Sequence, residues 1–277
     1  MIYNIIGNEI IVHNVNDFNA KHILECGQVF RYQQTNDGYK VFSKNLYSLL
    51  IIQAKSAIIL STEVDYFVRF FDLDRDYGDI KHKLSGYQNL KSAIEYGNGI
   101  RILKQDPIET IFQFILSANN NIPRIRSTIE RISTKLGQDM CGYYAFPTLE
   151  SLCRADVDLF KQAGAGYRAE YISRTARMIN DGFSLDVCKM TSEEARAHLM
   201  QLPGVGPKVA DCVLLFGYGR TDVFPTDVWI NRVYCDLYDE HAKTRREASK
   251  RLALEFGELS GFVQQYLFYY KRGTISK

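Results

Sequence analysis

Leu202-Pro203-Gly204-Val205-Gly206-Pro207-Lys208-Val209-Ala210 lies between two helical stretches. The helix before it starts at a Thr191 to Glu194 capping box and ends near Gln201. The two glycines permit a tight hairpin with positive φ angles and let the backbone come close to a ligand. The free N–H groups at the start of the next helix then point outward at an anion, which suits a phosphate. A nucleotide P-loop is excluded, because Pro207 separates Gly206 from Lys208 and Val209 stands where a Ser or Thr is needed.

Lys208 falls one residue into the second helix, and Asp227 follows within Val223-Phe224-Pro225-Thr226-Asp227-Val228. The positive end of a helix dipole disfavours an ammonium ion, and so does partial burial. An uncharged amine can attack a sugar C1′ and carry the intermediate forward as a Schiff base. An aspartate can orient or deprotonate that amine and stabilise positive charge building on the ribose. Plainer readings stay open for each residue taken singly: a solvated or phosphate-contacting lysine, and an aspartate that caps the helix running towards Tyr238.

Before this motif the chain changes character. From residue 1 to about 61, β-rich runs at Tyr39 to Phe42, Ser48 to Gln53 and Ala57 to Ser61 are separated by Asn-Asp-Gly and Ser-Lys-Asn turns, which predicts an antiparallel sheet. After Thr62 the period becomes helical. Asp106-Pro107-Ile108-Glu109 predicts a helix start with Asp106 as N-cap, Pro107 at the first position and Glu109 reaching back. A second helix follows Asn119-Asn120-Asn121, with Ile122, Ile125, Ile129, Ile132 and Leu136 on one side. The expected architecture is α+β, with a 1–98 antiparallel β domain with flanking helices packed on a mostly helical 99–277 domain.

Composition bounds the function classes. The chain has 277 residues, 46% hydrophobic and 24% charged, enough for a core and for two domains of about 100–150 residues. Its six cysteines, at 26, 141, 153, 188, 212 and 235, are widely spaced without a CxxC pair, so neither a zinc site nor an iron–sulfur run fits them. They read as reduced thiols. MIYNIIGNEII is not a basic leader followed by an apolar core, and no apolar run approaches the ~20 residues of a membrane span, so a soluble intracellular protein is expected, in the cytoplasm or nucleoid if bacterial and the nucleus if eukaryotic. Net charge is only +2, yet residues 241–277 hold eight Lys/Arg against three Glu, a segment that could face phosphate or form a solvated helix face.

The hairpin LPGVGPKVADC with the later VFPTDV resembles the helix-hairpin-helix DNA glycosylase superfamily. CGQVFRY at Cys26 to Tyr32, DPIETIFQFILSANNN at Asp106 to Asn121 and GYRAEYI at Gly166 to Ile172 bring the likeness closer to its 8-oxoguanine DNA glycosylase branch, from Gly27 to Phe268. The resemblance implies a TBP-like N-terminal sheet and a bifunctional glycosylase/AP lyase of base excision repair. Such an enzyme flips 8-oxoguanine out of double-stranded DNA, preferably opposite cytosine, and excises it through a Lys208 Schiff base and β-elimination, with Asp227 as acidic partner.

It further implies that Gly27 offers its backbone carbonyl to the N7–H that oxidation creates on guanine. Phe268 and Cys212 would hold the flipped base, and Gln264 would meet its Watson–Crick edge. Asn119 and Tyr167 would fill the gap in the duplex, Arg124 and Arg168 would donate to the estranged cytosine, and Gly204, Gly206 and Val209 would grip the backbone without reading sequence. Taken from the residues alone, Gly27 is a turn glycine, Phe268, Cys212 and Tyr167 are core, Asn119 is a loop cap and the arginines are surface charge. The resemblance calls for a monomer with no organic cofactor and no iron–sulfur cluster, and it leaves room for a structural monovalent cation at the hairpin.

Two positions depart from the branch. Trp229 stands where relatives often have a histidine that touches phosphate, and Lys271 where an acidic residue is frequent. Three other protein classes compete. A monofunctional alkylpurine glycosylase shares the aspartate but not a lysine at 208. An iron–sulfur glycosylase needs four cysteines after the aspartate. A non-catalytic DNA-binding module would tolerate change at Lys208 and Asp227, and would not require Gly27, Gln264 and Phe268 as well.

Overall fold

The computed structural model describes residues 2–13, 15–227, 230, 233–234 and 244–275. The N-terminal strands β1 (Ile2–Ile6), β2 (Glu9–His13), β3 (Tyr32–Gln34), β4 (Gly38–Ser43), β5 (Leu46–Ile52) and β6 (Ser56–Leu60) form one antiparallel sheet in the order β1-β2-β6-β5-β4-β3. Ile10 pairs with Ile59 and Val12 with Ala57, so the inward residues of β2 and β6 stand side by side. Period-2 alternation places Ile10, Val12, Leu50, Ala57 and Ile59 in the core, while β1 at the sheet edge leaves Ile2, Ile5 and Ile6 in solvent.

The helices are α1 (Ala20–Glu25), α2 (Val64–Phe70), α3 (Tyr77–Leu84), α4 (Lys91–Tyr96), α5 (Pro107–Ser117), α6 (Ile122–Leu136), α7 (Leu149–Arg154), α8 (Val157–Gln162), α9 (Arg168–Asn180), α10 (Ser192–Leu199), α11 (Pro207–Gly217), α12 (Arg245–Phe256) and α13 (Ser260–Ile275). No helix among the described residues is long and apolar enough to cross a membrane. The α+β class is as expected. Packing groups the chain into two compact units, one made of residues 1–40, 48–104 and 219–277 and the other of 41–47 and 105–218. The grouping in space does not follow one cut in the sequence, since residues 219–277 group with most of the N-terminal strands.

In the first unit, Arg101 is fully buried. Its guanidinium donates to the carbonyls of Phe71 at 3.0 Å, Asp17 at 3.1 Å and Arg75 at 3.0 Å, and lies 4.0 Å from the centre of the Tyr77 ring. A charge out of water is tolerated because every face of its fork is hydrogen-bonded.

In the second unit, Asp106 caps α5 by accepting from Glu109 N at 3.0 Å, and Asn121 caps α6 by accepting from Arg124 N at 3.0 Å. Thr191 and Glu194 form the full reciprocal box at α10. Glu109, by contrast, does not reach back to its N-cap. It is buried, and its carboxylate accepts from Lys44 N at 2.7 Å and Gln113 Nε2 at 2.8 Å, fastening the tip of the β4–β5 hairpin to α5. A long-range backbone donor has displaced the local capping partner.

Candidate active site

The hairpin between α10 and α11 forms as its glycines require. Gly204 has φ +82°, and a Cβ there would lie 2.8 Å from Tyr171 Cβ, so the left-handed turn packs directly on α9. Thr175 Oγ1 on the same helix donates to Pro203 O at 2.8 Å. Gly206 is the N-cap of α11 with extended backbone, and Pro207 opens the helix. Nothing lies within 4 Å of a Cβ built on Gly206, so no protein neighbour demands a glycine there. Val209 is buried on the inner side of α11.

Lys208 sits one residue into α11. Its Nζ is 3.4 Å from Ser117 Oγ at the end of α5 and 5.0 Å from the centre of the Phe114 ring. The two helices are locked by Phe114 stacking on Phe216, with centroids 5.5 Å apart and planes at 16°. Cys212, one turn beyond Lys208, is buried. Ser117 and Phe114 were not singled out from sequence, although both lie within the DPIETIFQFILSANNN block.

Two residues past Ser117, Asn119 is exposed with φ +48°, a left-handed conformation that asparagine tolerates better than most residues. Arg168, at the start of α9, is buried and braces this loop. Its Nε donates to Ala118 O at 2.8 Å and its Nη2 to Asn119 O at 2.7 Å. The same guanidinium lies 4.3 Å from the centre of the Tyr167 ring, and Tyr167 is 57% exposed. Donation from Arg168 to a base would require these carbonyl bonds to be exchanged. Arg124, on the first turn of α6, is exposed. The second unit thus brings Lys208, Asn119, Tyr167 and Arg168 together around the α5–α6 connection.

The remaining candidates belong to the first unit. Gly27 has φ +91° and follows α1. On α13, Gln264 is buried and its Oε1 is an acceptor without a hydrogen-bond partner among the described residues. An unpaired buried amide oxygen costs free energy unless a ligand supplies a donor. Phe268, one turn along, is half-buried, and Arg272 lies 5.5 Å from its ring centre. Lys271 is half-buried on the same helix.

Asp227 is half-buried, and its Oδ1 accepts from Ile230 N at 3.0 Å. The loop before it is fixed by Phe224, whose carbonyl accepts from Thr226 Oγ1 at 3.0 Å and Ser249 Oγ at 2.8 Å. Trp229 and Cys235 lie outside the described residues. Among the described residues no group of three His, Cys, Asp or Glu side chains is placed to hold a metal ion.

Residues 10–111 match the family model for the 8-oxoguanine DNA glycosylase N-terminal domain, and residues 112–257 match that of the HhH-GPD superfamily of base excision DNA repair proteins. A probable N-glycosylase/DNA lyase of Methanothermobacter thermautotrophicus is 33% identical over 238 residues, 77% of this chain and 75% of that one. The N-glycosylase/DNA lyase of Saccharomyces cerevisiae is 31% identical over 261 residues, 79% of this chain and 68% of its own. Among solved structures, the Clostridium acetobutylicum 8-oxoguanine glycosylase/lyase in complex with double-stranded DNA containing cytosine opposite 8-oxoG superposes with a TM-score of 0.93 at 36% identity, covering 99% of both chains. With both halves of its sequence matched in this way, the chain belongs to the 8-oxoguanine DNA glycosylase family, within the helix-hairpin-helix superfamily of base excision repair proteins.

Proposed function

We propose that this chain is a bifunctional 8-oxoguanine DNA glycosylase/AP lyase acting on double-stranded DNA, with Lys208 as the nucleophile. The observation that carries the reading is the position of the Lys208 amine, at the N-terminal turn of α11, against Ser117 and immediately before the Asn119 loop. A lysine serving only to contact phosphate would extend into solvent, whereas this amine is half-buried against Ser117 and the Phe114 ring.

The hairpin N–H groups hold a phosphate of the damaged strand. The Leu202 and Pro203 carbonyls each accept one bond already and keep a second lone pair, so hairpin carbonyls can also hold a monovalent cation that neutralises phosphate charge. Asn119 and Tyr167 fill the space the flipped nucleotide leaves. Arg124, and Arg168 on exchanging its carbonyl partners, donate to the O2 and N3 acceptors of the estranged cytosine.

For the flipped base, Gly27 supplies the carbonyl that accepts from N7–H of 8-oxoguanine and opposes the N7 lone pair of guanine. The buried Gln264 Oε1 accepts from the base's Watson–Crick N–H groups, Phe268 offers a flat surface and Cys212 a soft one. Lys208 Nζ attacks C1′ as the N-glycosidic bond breaks, and the electron pair leaves with the base, which is protonated on departure. Asp227 stabilises the positive charge on the sugar. Loss of the ring oxygen from C1′ gives the Schiff base, and removal of a C2′ proton expels the 3′ phosphate by β-elimination.

Borohydride reduction tests this on a duplex carrying 8-oxoguanine opposite cytosine, with unmodified guanine alongside. A covalent protein–DNA adduct formed with the lesion only, and lost in Lys208→Gln, is expected. Lesion binding by the wild type with neither base release nor adduct would reduce the protein to a non-catalytic binding module.

A further inference from the structure

The lesion-reading carbonyl is one peptide group in a turn, and its value depends on how firmly it is aimed. Gly27, with φ +91°, has the greatest freedom of any residue type to swing. On its C-terminal side, Gln28 is fully buried and its side-chain amide donates to Ile23 O at 2.9 Å and Arg101 O at 2.7 Å while accepting from Leu103 N at 2.9 Å. Those three bonds fix the far side of the turn.

On the near side, both fasteners come from α13, where they alternate with the base-contacting residues. Gln265 Nε2 donates to Cys26 O at 3.1 Å, across 239 residues of sequence. Arg272 Nη2 donates to Glu25 O, and the same guanidinium lies over the Phe268 ring. We infer that Gln265 and Arg272 are positioning residues for lesion discrimination: they pin the Glu25–Cys26 backbone so that the Gly27 carbonyl is held in place. Arg272 also sets the Phe268 ring from one side, leaving the other for the base. Neither residue touches the lesion. The inference rests on the reading of Gly27 given above.

Removal of either clamp lets the peptide before Gly27 rotate. A carbonyl that can turn away neither rewards the N7–H of 8-oxoguanine nor opposes the lone pair of guanine. Selectivity built on one hydrogen bond is then lost first.

The test compares wild type, Gln265→Met, Arg272→Met and Arg272→Lys on three duplexes: 8-oxoguanine opposite cytosine, guanine opposite cytosine, and a preformed abasic site opposite cytosine. Single-turnover base release and strand cleavage are measured. For both methionine variants the ratio of 8-oxoguanine to guanine release should fall roughly tenfold or more, and further than abasic-site cleavage falls. Arg272→Lys, which keeps a charged donor for Glu25 O, should restore part of the ratio. Equal losses on the lesion and the abasic site would mean a merely structural role and overturn the inference, as would an unchanged ratio. Failure of the wild type to distinguish 8-oxoguanine from guanine would instead overturn the reading of Gly27 itself.

Discussion

Arg196 Nε on α10 lies 2.5 Å from Asp211 Oδ1 on α11, joining the two helices of the hairpin by an ion pair whose carboxylate is buried. Asp211 neighbours Cys212 and is three residues from Lys208. Removing the arginine takes away a cation that faces a buried carboxylate, on the helix that carries Lys208. Arg196→Met should therefore lower unfolding free energy by about 3–5 kcal/mol in urea titrations, and Arg196→Met with Asp211→Asn by clearly less. A single variant within 0.5 kcal/mol of wild type, on the order of assay error, would show that the pair is not coupled to the fold.

The two hairpin glycines should fail differently. Gly204→Ala forces a Cβ against Tyr171 at φ +82°, which should cost about 1–2 kcal/mol of stability. Gly206→Ala meets no protein atom within 4 Å, so stability should hold while affinity for a lesion duplex drops, because the methyl group occupies space meant for phosphate. Equal affinity for Gly206→Ala and wild type in fluorescence anisotropy at fixed salt would refute the phosphate grip.

Arg168 and Arg124 should also separate. Arg168→Met leaves the Ala118 and Asn119 carbonyls without their charged donor and should destabilise by about 2–3 kcal/mol. Arg124→Met alters an exposed side chain and should shift stability by less than about 0.5 kcal/mol. Both should narrow the difference between base release opposite cytosine and opposite adenine. If only Arg168→Met does so, cytosine is read without Arg124.

Alkaline conditions should act on the first unit through buried acids that folding keeps protonated. Burial pushes the Cys26 thiol from 9.0 up to about 11, and the Tyr269 hydroxyl up to about 12. Burial raises Tyr266 and Tyr39 as well. For each, the folded state holds its proton more tightly than the unfolded chain, so the stabilisation is complete below the ordinary value and is lost as pH climbs towards the raised one. Denaturation midpoints should fall steadily from about pH 9 upward. In native protein at neutral pH, maleimide should label exposed Cys141 and Cys188 but spare Cys26 and Cys212 until denaturant is added. Rapid native labelling of Cys26 would contradict its burial.

The sequence was most legible where chemistry is local. Asp106 and Thr191 each cap the helix that follows, because a cap is written within four residues. The β-rich runs at Tyr39 to Phe42, Ser48 to Gln53 and Ala57 to Ser61 likewise fall on β4, β5 and β6. What sequence could not disclose were side chains whose partners are distant backbone groups. Arg101 is a buried hub although nothing near it in sequence marks it; Glu109 reads as a capping residue yet holds Lys44; Gln265 and Arg272, on either side of Phe268, carry no local signal of their backbone partners. A carbonyl bears no mark of which side chain will reach it, so such contacts emerge only with the tertiary fold. Lys208 stands within a motif, but Ser117 beside it carries no such mark, since the two are separated by 91 positions.

Arg168 braces the loop of the left-handed Asn119 before any duplex arrives, so ordering entropy is met during folding and not at the moment of encounter. In the proposed role of a wedge, such a rigid tip places the whole work of deformation on the nucleic acid. Extraction then proceeds fastest wherever stacking and pairing are already weak, so that the mechanical softness of a base pair acts as a first sieve, ahead of any contact with the base itself.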